Sequence, residues 1–443
     1  MRIIDGAEFD AYWKVSAETA NDELVESGVR EIIAAVRTEG DTAVRRFASR
    51  FDKSSPARLE VPMSAVEKAL RDLRAGDPEL AAAMELSARH IKRFSMQQRA
   101  QFSDFEYEME PGLVTGQRVI PIEKVAVYAP GGRFPLFSSL LMALVPAFCA
   151  GAEELVLASP PQENGLPDDK ILAAAGIAVE VAAAECGGKL RVFAVGGVQA
   201  IAALALGTES VPRVDMIAGP GSKHVVTAKR ILFGEVGIDF LPGPSDVLII
   251  ADKGGADSAS ADFIAADMIA QAEHDPDARA WALVPGKELA EQITAALERR
   301  LAQLPTADTA RASLDTGGLI VVYRDMEEAV RIANAIAPEH LELHIADADR
   351  WIPLLKNYGS LFIGNLSAEV LGDYSAGTNH ILPTMGNARF TGGLSVRHFL
   401  KTVTTLRCAP GEGFEKTRHA AEIMARAEGL EGHALSAAAR RQV

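Results

Sequence analysis

Four short segments carry acids, amides and imidazoles at spacings that could do chemistry. In Gln271-Ala272-Glu273-His274 the amide and the imidazole stand three residues apart at the end of a helical pattern. On a continuing helix they share a face, where an amide oxygen and a ring nitrogen could hold one metal ion. A merely polar helix end is the plain alternative. Pro338-Glu339-His340-Leu341 sets a carboxylate beside an imidazole at a helix-to-strand junction. That pair suits general acid–base work, although a surface turn would read the same way. Asp373 and His380 fall in one segment around Gly377, and Glu428 and His433 form a further acid–imidazole set near the C-terminus. A solvated helix end is the alternative for the last. Together the four segments offer ligands that zinc accepts, and zinc polarises an alcohol without changing its own redox state. The remaining histidines, His90, His224, His344, His398 and His419, have no acid or amide at such a spacing.

The elements that must position these groups are legible in outline. Residues 8–105 mix charged and apolar positions at helical spacing, for example over 25–47 and 64–93. From about residue 120, short β-branched runs alternate with Ala-rich helices. Strands at 125–128, 154–158, 191–195 and 214–218 are followed by turns, three of them rich in glycine: Gly131-Gly132, Gly196-Gly197 and Gly219-Pro220-Gly221. A second series has strands at 246–251, 281–284, 318–323 and 360–363, with helices at 259–273, 288–304 and 326–336. Repeated strand, turn and helix imply βα units on parallel sheets. The residues after about 390 read as a polar, helical tail. The expected fold is therefore α/β: two lobes with helical N- and C-terminal extensions. None of the glycine turns is a G-x-G-x-x-G or a P-loop, so phosphate binding is permitted by these turns without being announced.

Composition narrows the class. A chain of 443 residues with net charge −15 has no basic surface for nucleic acid or anionic membrane. The apolar run 140–152 is too short to span a bilayer, and the N-terminus lacks a basic head followed by an apolar stretch. Three scattered cysteines without a CxxC pair argue against a disulfide framework or a thiolate metal site. A cytoplasmic protein is expected.

These motifs, in this order, resemble the histidinol dehydrogenase family. The resemblance covers nearly the whole chain. It runs through Tyr128-Ala129-Pro130-Gly131-Gly132, Val195 to Gln199, Gly219-Pro220-Gly221, Gly243-Pro244-Ser245 and Gln271 to Pro276, then Pro338 to Leu341, Gly377 to Pro383, and Glu428-Gly429-Leu430 with His433. It implies two incomplete Rossmann-like lobes in an intertwined homodimer with a shared active site. The implied divisions are an N-terminal arm at 1–25, a first lobe at 26–127 plus 245–385, an NAD-binding second lobe at 128–244, and a crossing tail at 386–443. It implies one zinc ion per subunit, held by Gln271, His274 and Asp373 of one subunit and His433 of the other. Glu339 and His340 would be the catalytic pair, His340 taking the alcohol proton and Glu339 activating water. Ser245, His380 and Glu428 would line the substrate site together with His340 and the metal ligands; Tyr128, Gln199 and Ser222 would face NAD. The implied reaction is the four-electron oxidation of L-histidinol to L-histidine through histidinal, closing histidine biosynthesis.

Four places depart from the family pattern. Ser222 follows Gly-Pro-Gly where Asn is usual, and Ser95 stands where a Phe-His-x-x-Gln segment has His. The stretch 252–261 looks longer than usual. The segment 390–402 resembles paralogues that oxidise other alcohols such as a sulfonated propanediol. A paralogous NAD-dependent zinc alcohol dehydrogenase is thus the alternative enzyme reading. A catalytically silent, metal-stabilised dimer is the alternative outside enzymes, and the intact Glu339–His340 pair speaks against it.

Overall fold

The computed structural model describes residues 1–16, 23–131, 135–241, 243–252 and 258–441. One six-stranded sheet is wholly parallel, in the order Arg2–Asp5, Leu319–Val322, Arg279–Val284, Asp246–Ala251, His340–His344, Ser360–Ile363. Its strands Asp246–Ala251 and His340–His344 are buried along their whole length, as a sheet covered on both faces requires. Helices Ser258–Ala272, Lys287–Leu301 and Ala307–Gly317 close one face, and Met326–Ile336, with Phe9 and Trp351, closes the other.

The other six-stranded sheet runs Glu60–Val61, Lys189–Ala194, Glu154–Ser159, Lys124–Tyr128, Met216–Ala218, Gly237–Ile238. It is parallel apart from the first pairing. Phe137–Ala150, one of its covering helices, is apolar almost all round and sits wholly in the core. Gly151 ends it at φ 96°, the left-handed conformation that glycine adopts without a Cβ clash.

Three expectations differ from what the chain does. The expected first lobe joins residues 26–127 to 245–385, yet helices Glu23–Glu39 and Asp41–Phe51 pack on Gly197–Leu206, and Met63–Gly76 packs on Asp169–Ala178. Strands Glu60–Val61 and Lys124–Tyr128 also pair within that second sheet. An amphipathic helix shows that it has a buried face; it does not show which sheet buries it. The N-terminal arm at 1–25 contains the edge strand Arg2–Asp5, paired with Leu319–Val322. The C-terminal tail is not helical throughout. Leu400–Cys408 is a strand antiparallel to Leu113–Pro121, which also pairs with Phe105–Glu110 in a three-stranded sheet. Helices Glu412–Ala427 and Glu431–Ala438 come after it.

Candidate active site between the lobes

A cavity of about 210 Å³ lies where the two large sheets face each other. The second lobe contributes Leu136, Ser139, Pro220 and Gly221, from the carboxyl ends of its strands. The first lobe contributes Ser245, Glu339 and His340, from the amino ends of Asp246–Ala251 and His340–His344. His274, Asp373 and His380 complete the wall.

The two first-lobe strands are locked together at that edge. Asp246 N–H donates to Glu339 Oε2 at 3.1 Å, and Glu339 N–H donates to Asp246 Oδ1 at 2.8 Å. The Asp246 carbonyl accepts from His340 Nδ1 at 3.3 Å. A carbonyl only accepts, so Nδ1 carries a proton, and whenever the ring is neutral its lone pair is on Nε2. Nε2 lies 3.4 Å from Asp373 Oδ1, and neither atom completes a hydrogen bond. Burial pushes the Glu339 carboxyl up to about 8; the His340 charge opposes this and Asp246 adds to it. Burial alone would lower the His340 imidazole, yet Glu339, Glu369 and Asp373 together hold it well above its ordinary value.

Gln271 and His274 do not share a helical face, although their spacing allows it. The helix ends at Ala272, and His274 sits in the turn beyond it. Asp373 likewise belongs to the short helix Glu369–Tyr374, whereas His380 lies in the loop after it. His380 is held from both ring nitrogens, by the Asp373 carbonyl at 2.7 Å and Ser139 Oγ at 2.8 Å. Gln271 is wholly buried, and neither atom of its amide finds a hydrogen-bond partner. A buried amide left bare costs about 1–3 kcal/mol. With Asp373 Oδ1 also unpartnered and His274 on the wall, these residues fit a divalent cation. Glu428 and His433 are not brought to this cavity. Both are exposed, lining a hollow on the tail with Met424 and Arg440, and the tail's helices pack on each other and on Phe105–Glu110.

A second cavity, about 400 Å³, is lined by Leu24, Phe47, Arg50, Phe51, Gln199 and Ser222, among others. Tyr128 stands beside it, buried, its hydroxyl accepting from Gly197 N–H at 3.0 Å. Asp52, which no sequence motif singles out, accepts from Gly196 N–H and the Gln199 amide, both at 3.3 Å. Burial raises its carboxyl to about 6 against those two hydrogen bonds.

The family model described as histidinol dehydrogenase matches residues 15–441. The chain belongs to the histidinol dehydrogenase family. The histidinol dehydrogenase of Thermus thermophilus is 46% identical over 95% of this chain and 95% of its own length. That of Aquifex aeolicus is 42% identical, over 95% and 93%. The crystal structure of the Elizabethkingia anophelis histidinol dehydrogenase superposes with a TM-score of 0.88 at 32% identity, covering 99% of this chain and 97% of that one. Family membership makes the chain an NAD-dependent oxidoreductase acting on a CH–OH group. Among the described residues no helix is long and apolar enough to cross a membrane.

Departures from the family pattern fall in different places. Ser222 is exposed at the mouth of the second cavity, whereas Ser95 is buried in the helix Pro78–Arg99. Gly132 and residues 253–257 of the 252–261 stretch lie outside the described residues. One group of side chains has no counterpart among the sequence motifs. His344 Nε2 lies 3.2 Å from Glu342 Oε2 and 4.0 Å from Asp267 Oδ2, all three buried just behind the cavity. Among the described residues this trio is compact enough to hold a cation. The available signal is the Glu-x-His spacing, which puts both on one face of a strand.

The buried groups make two expectations testable. Replacing Gln271 by Leu should raise the stability of the metal-free protein by about 1 kcal/mol, because an unsatisfied amide is removed. The same change should lower bound zinc, and unaltered zinc stoichiometry by elemental analysis would remove Gln271 from the ligand set. Burial, and then the Glu342 charge, pushes the Asp267 carboxyl up to about 8. Its unfolded value is near 4, so the folded state binds the extra proton between those values and stability falls as pH rises through that window. Asp267→Asn should therefore flatten the decline in Tm between pH 6 and 8.5; an unchanged slope would place the decline elsewhere.

Proposed function

We propose that the inter-lobe cavity oxidises L-histidinol to L-histidine through histidinal, with NAD as hydride acceptor and zinc as the resident metal. The observation that carries this reading is His340 at the cavity wall, its Nδ1 donating to the Asp246 carbonyl and its Nε2 3.4 Å from the unpartnered Asp373 Oδ1. The zinc ligands are Gln271, His274 and Asp373, with His433 supplied by a second copy of the chain. Zinc, when bound, supplies a Lewis acid that acidifies the substrate hydroxyl and polarises the aldehyde.

The chain's own residues do the rest. His340 Nε2 takes the hydroxyl proton while the carbinol carbon gives up hydride to NAD. In the second half-reaction Glu339 takes a proton from the water that adds to the aldehyde carbon, and the hydrated carbon yields a second hydride to a fresh NAD. Both groups sit on one strand end, so the intermediate need not move between the two oxidations. Ser245 and His380 hold the substrate from opposite walls, with Glu428 from the partner copy. The second cavity takes NAD, with Tyr128, Gln199 and Ser222 toward it; the 219–222 turn borders both cavities, which supports one cofactor spanning them.

The homodimer is supported by the tail. Ile423, Met424 and Leu435 are exposed on its helices and Leu430 between them, and Tyr107, Met109 and Leu406 are exposed on the sheet that carries it. That apolar surface beside Glu428 and His433 suits a partner subunit. The test is NADH counted per histidinol consumed by the zinc-loaded protein, expected at about two for the four-electron route. A companion test mixes inactive His340→Ala with inactive His433→Ala, which should recover activity in mixed dimers. Mixed dimers that form and stay inactive would rule out a shared site.

A further inference from the structure

Outside the reacting groups, one buried ion pair is placed where the two cavities meet. Lys229, in the helix Lys223–Leu232, and Asp239 have side chains that are 0% and 1% exposed. Lys229 Nζ donates to Asp239 Oδ1 and, at 3.0 Å, to the Gly219 carbonyl. Asp239 Oδ2 accepts from Gly219 N–H at 2.8 Å. The pair therefore grips Gly219 on both sides, through its N–H and its carbonyl.

The three residues after Gly219 give this grip its meaning. Pro220 and Gly221 line the inter-lobe cavity, and Ser222 lines the second one. The turn is the wall that the two cavities share. Gly219 itself is pressed against the neighbouring strand: at φ +110°, a Cβ there would lie 2.3 Å from the Tyr128 carbonyl. Four and six residues after Asp239 come Gly243 and Ser245, which also line the inter-lobe cavity. One ion pair thus ties together the roots of two segments that both line the cavity.

Burying two charges is costly, and an apolar pair of similar size often packs as well or better. An apolar pair could not hold the N–H and the carbonyl of one glycine at once. We propose that Lys229 and Asp239 are a positioning pair that fixes the 219–222 turn, and so sets the alignment of nicotinamide with the substrate carbon for hydride transfer. This rests on the reading that NAD spans the two cavities.

The test is the double variant Lys229→Met with Asp239→Leu, which removes both charges without leaving either unpaired. In the cofactor-free protein, hydrogen exchange at the Val226 amide, which donates to the Ser222 carbonyl at 3.0 Å, should speed up at least tenfold. With histidinol and NAD, kcat should fall at least tenfold with KM changed less than threefold. The deuterium isotope effect with carbinol-deuterated histidinol should rise, as misalignment slows the hydride step. Wild-type exchange, kcat and isotope effect in a cooperatively folded double variant would overturn the proposal and leave the pair a support of the fold. If that variant does not fold, Lys229→Met with Asp239→Asn keeps an acceptor for Gly219 N–H and frees only its carbonyl. It should show the same changes to a smaller degree, and wild-type behaviour there overturns the proposal equally. Absence of histidinol turnover by the wild-type chain is a separate outcome: it removes the functional reading, while the exchange measurement still decides whether the pair holds the turn.

Discussion

The site depends on the parallel pairing of Asp246–Ala251 with His340–His344, two strands almost a hundred residues apart that start at the same edge of one sheet. Parallel strands begin together, so their amino ends bring Asp246, Glu339 and His340 into contact. The reciprocal hydrogen bonds between Asp246 and Glu339 then fix which atoms face the cavity. At this pairing the order of strands reverses: the chain builds outward through Arg279–Val284 and Leu319–Val322 on one side, then returns to add His340–His344 on the other. Helix Ser258–Ala272 leaves the far ends of the strands and runs back to the amino edge, which is why Gln271 and His274 arrive there.

The cavity combines opposite ends of two sheets. From the second lobe it receives carboxyl ends and the turns after them, beside the point where that sheet's order also reverses, between Lys124–Tyr128 and Met216–Ala218. Such crevices favour nucleotides, because the turns and helices beyond the strands present backbone N–H groups. From the first lobe it receives amino ends loaded with acids, an amide and imidazoles. The two lobes contribute differently: one offers backbone and apolar surface, the other titratable side chains.

Much of this is legible in the sequence, for reasons that also mark where reading stops. Glu339, His340, Gln271 and Asp373 announce themselves because uncommon residue types cluster at turns and helix ends. The strands are legible because buried parallel strands read as unbroken apolar runs. The partner of each amphipathic helix is not legible, hence the misplaced 26–127 segment, since periodicity carries no address. Leu400–Cys408 escapes notice because it is exposed almost throughout; its order comes from backbone pairing with Leu113–Pro121, which leaves no hydrophobic pattern. The His344–Glu342–Asp267 group escapes because Glu342 and His344 lie on a strand and Asp267 approaches from the helix Ser258–Ala272. Asp52 gives no local signal at all.

The N-terminal strand has a consequence for how the chain comes together. Arg2–Asp5 pairs with Leu319–Val322, so this strand leaves the ribosome more than three hundred residues before the strand that completes its ladder. Between them lies nearly everything the second lobe needs, from Glu23 to Ile238, in one uninterrupted stretch. That lobe can therefore complete itself during synthesis while the N-terminal strand remains unpaired. The sheet that carries His340 closes afterwards, and the ribbon of Leu400–Cys408 on Leu113–Pro121 closes later still. The order of translation places the second lobe ahead of the edge that carries Glu339 and His340, so that edge forms only once the surface across the cavity has been built.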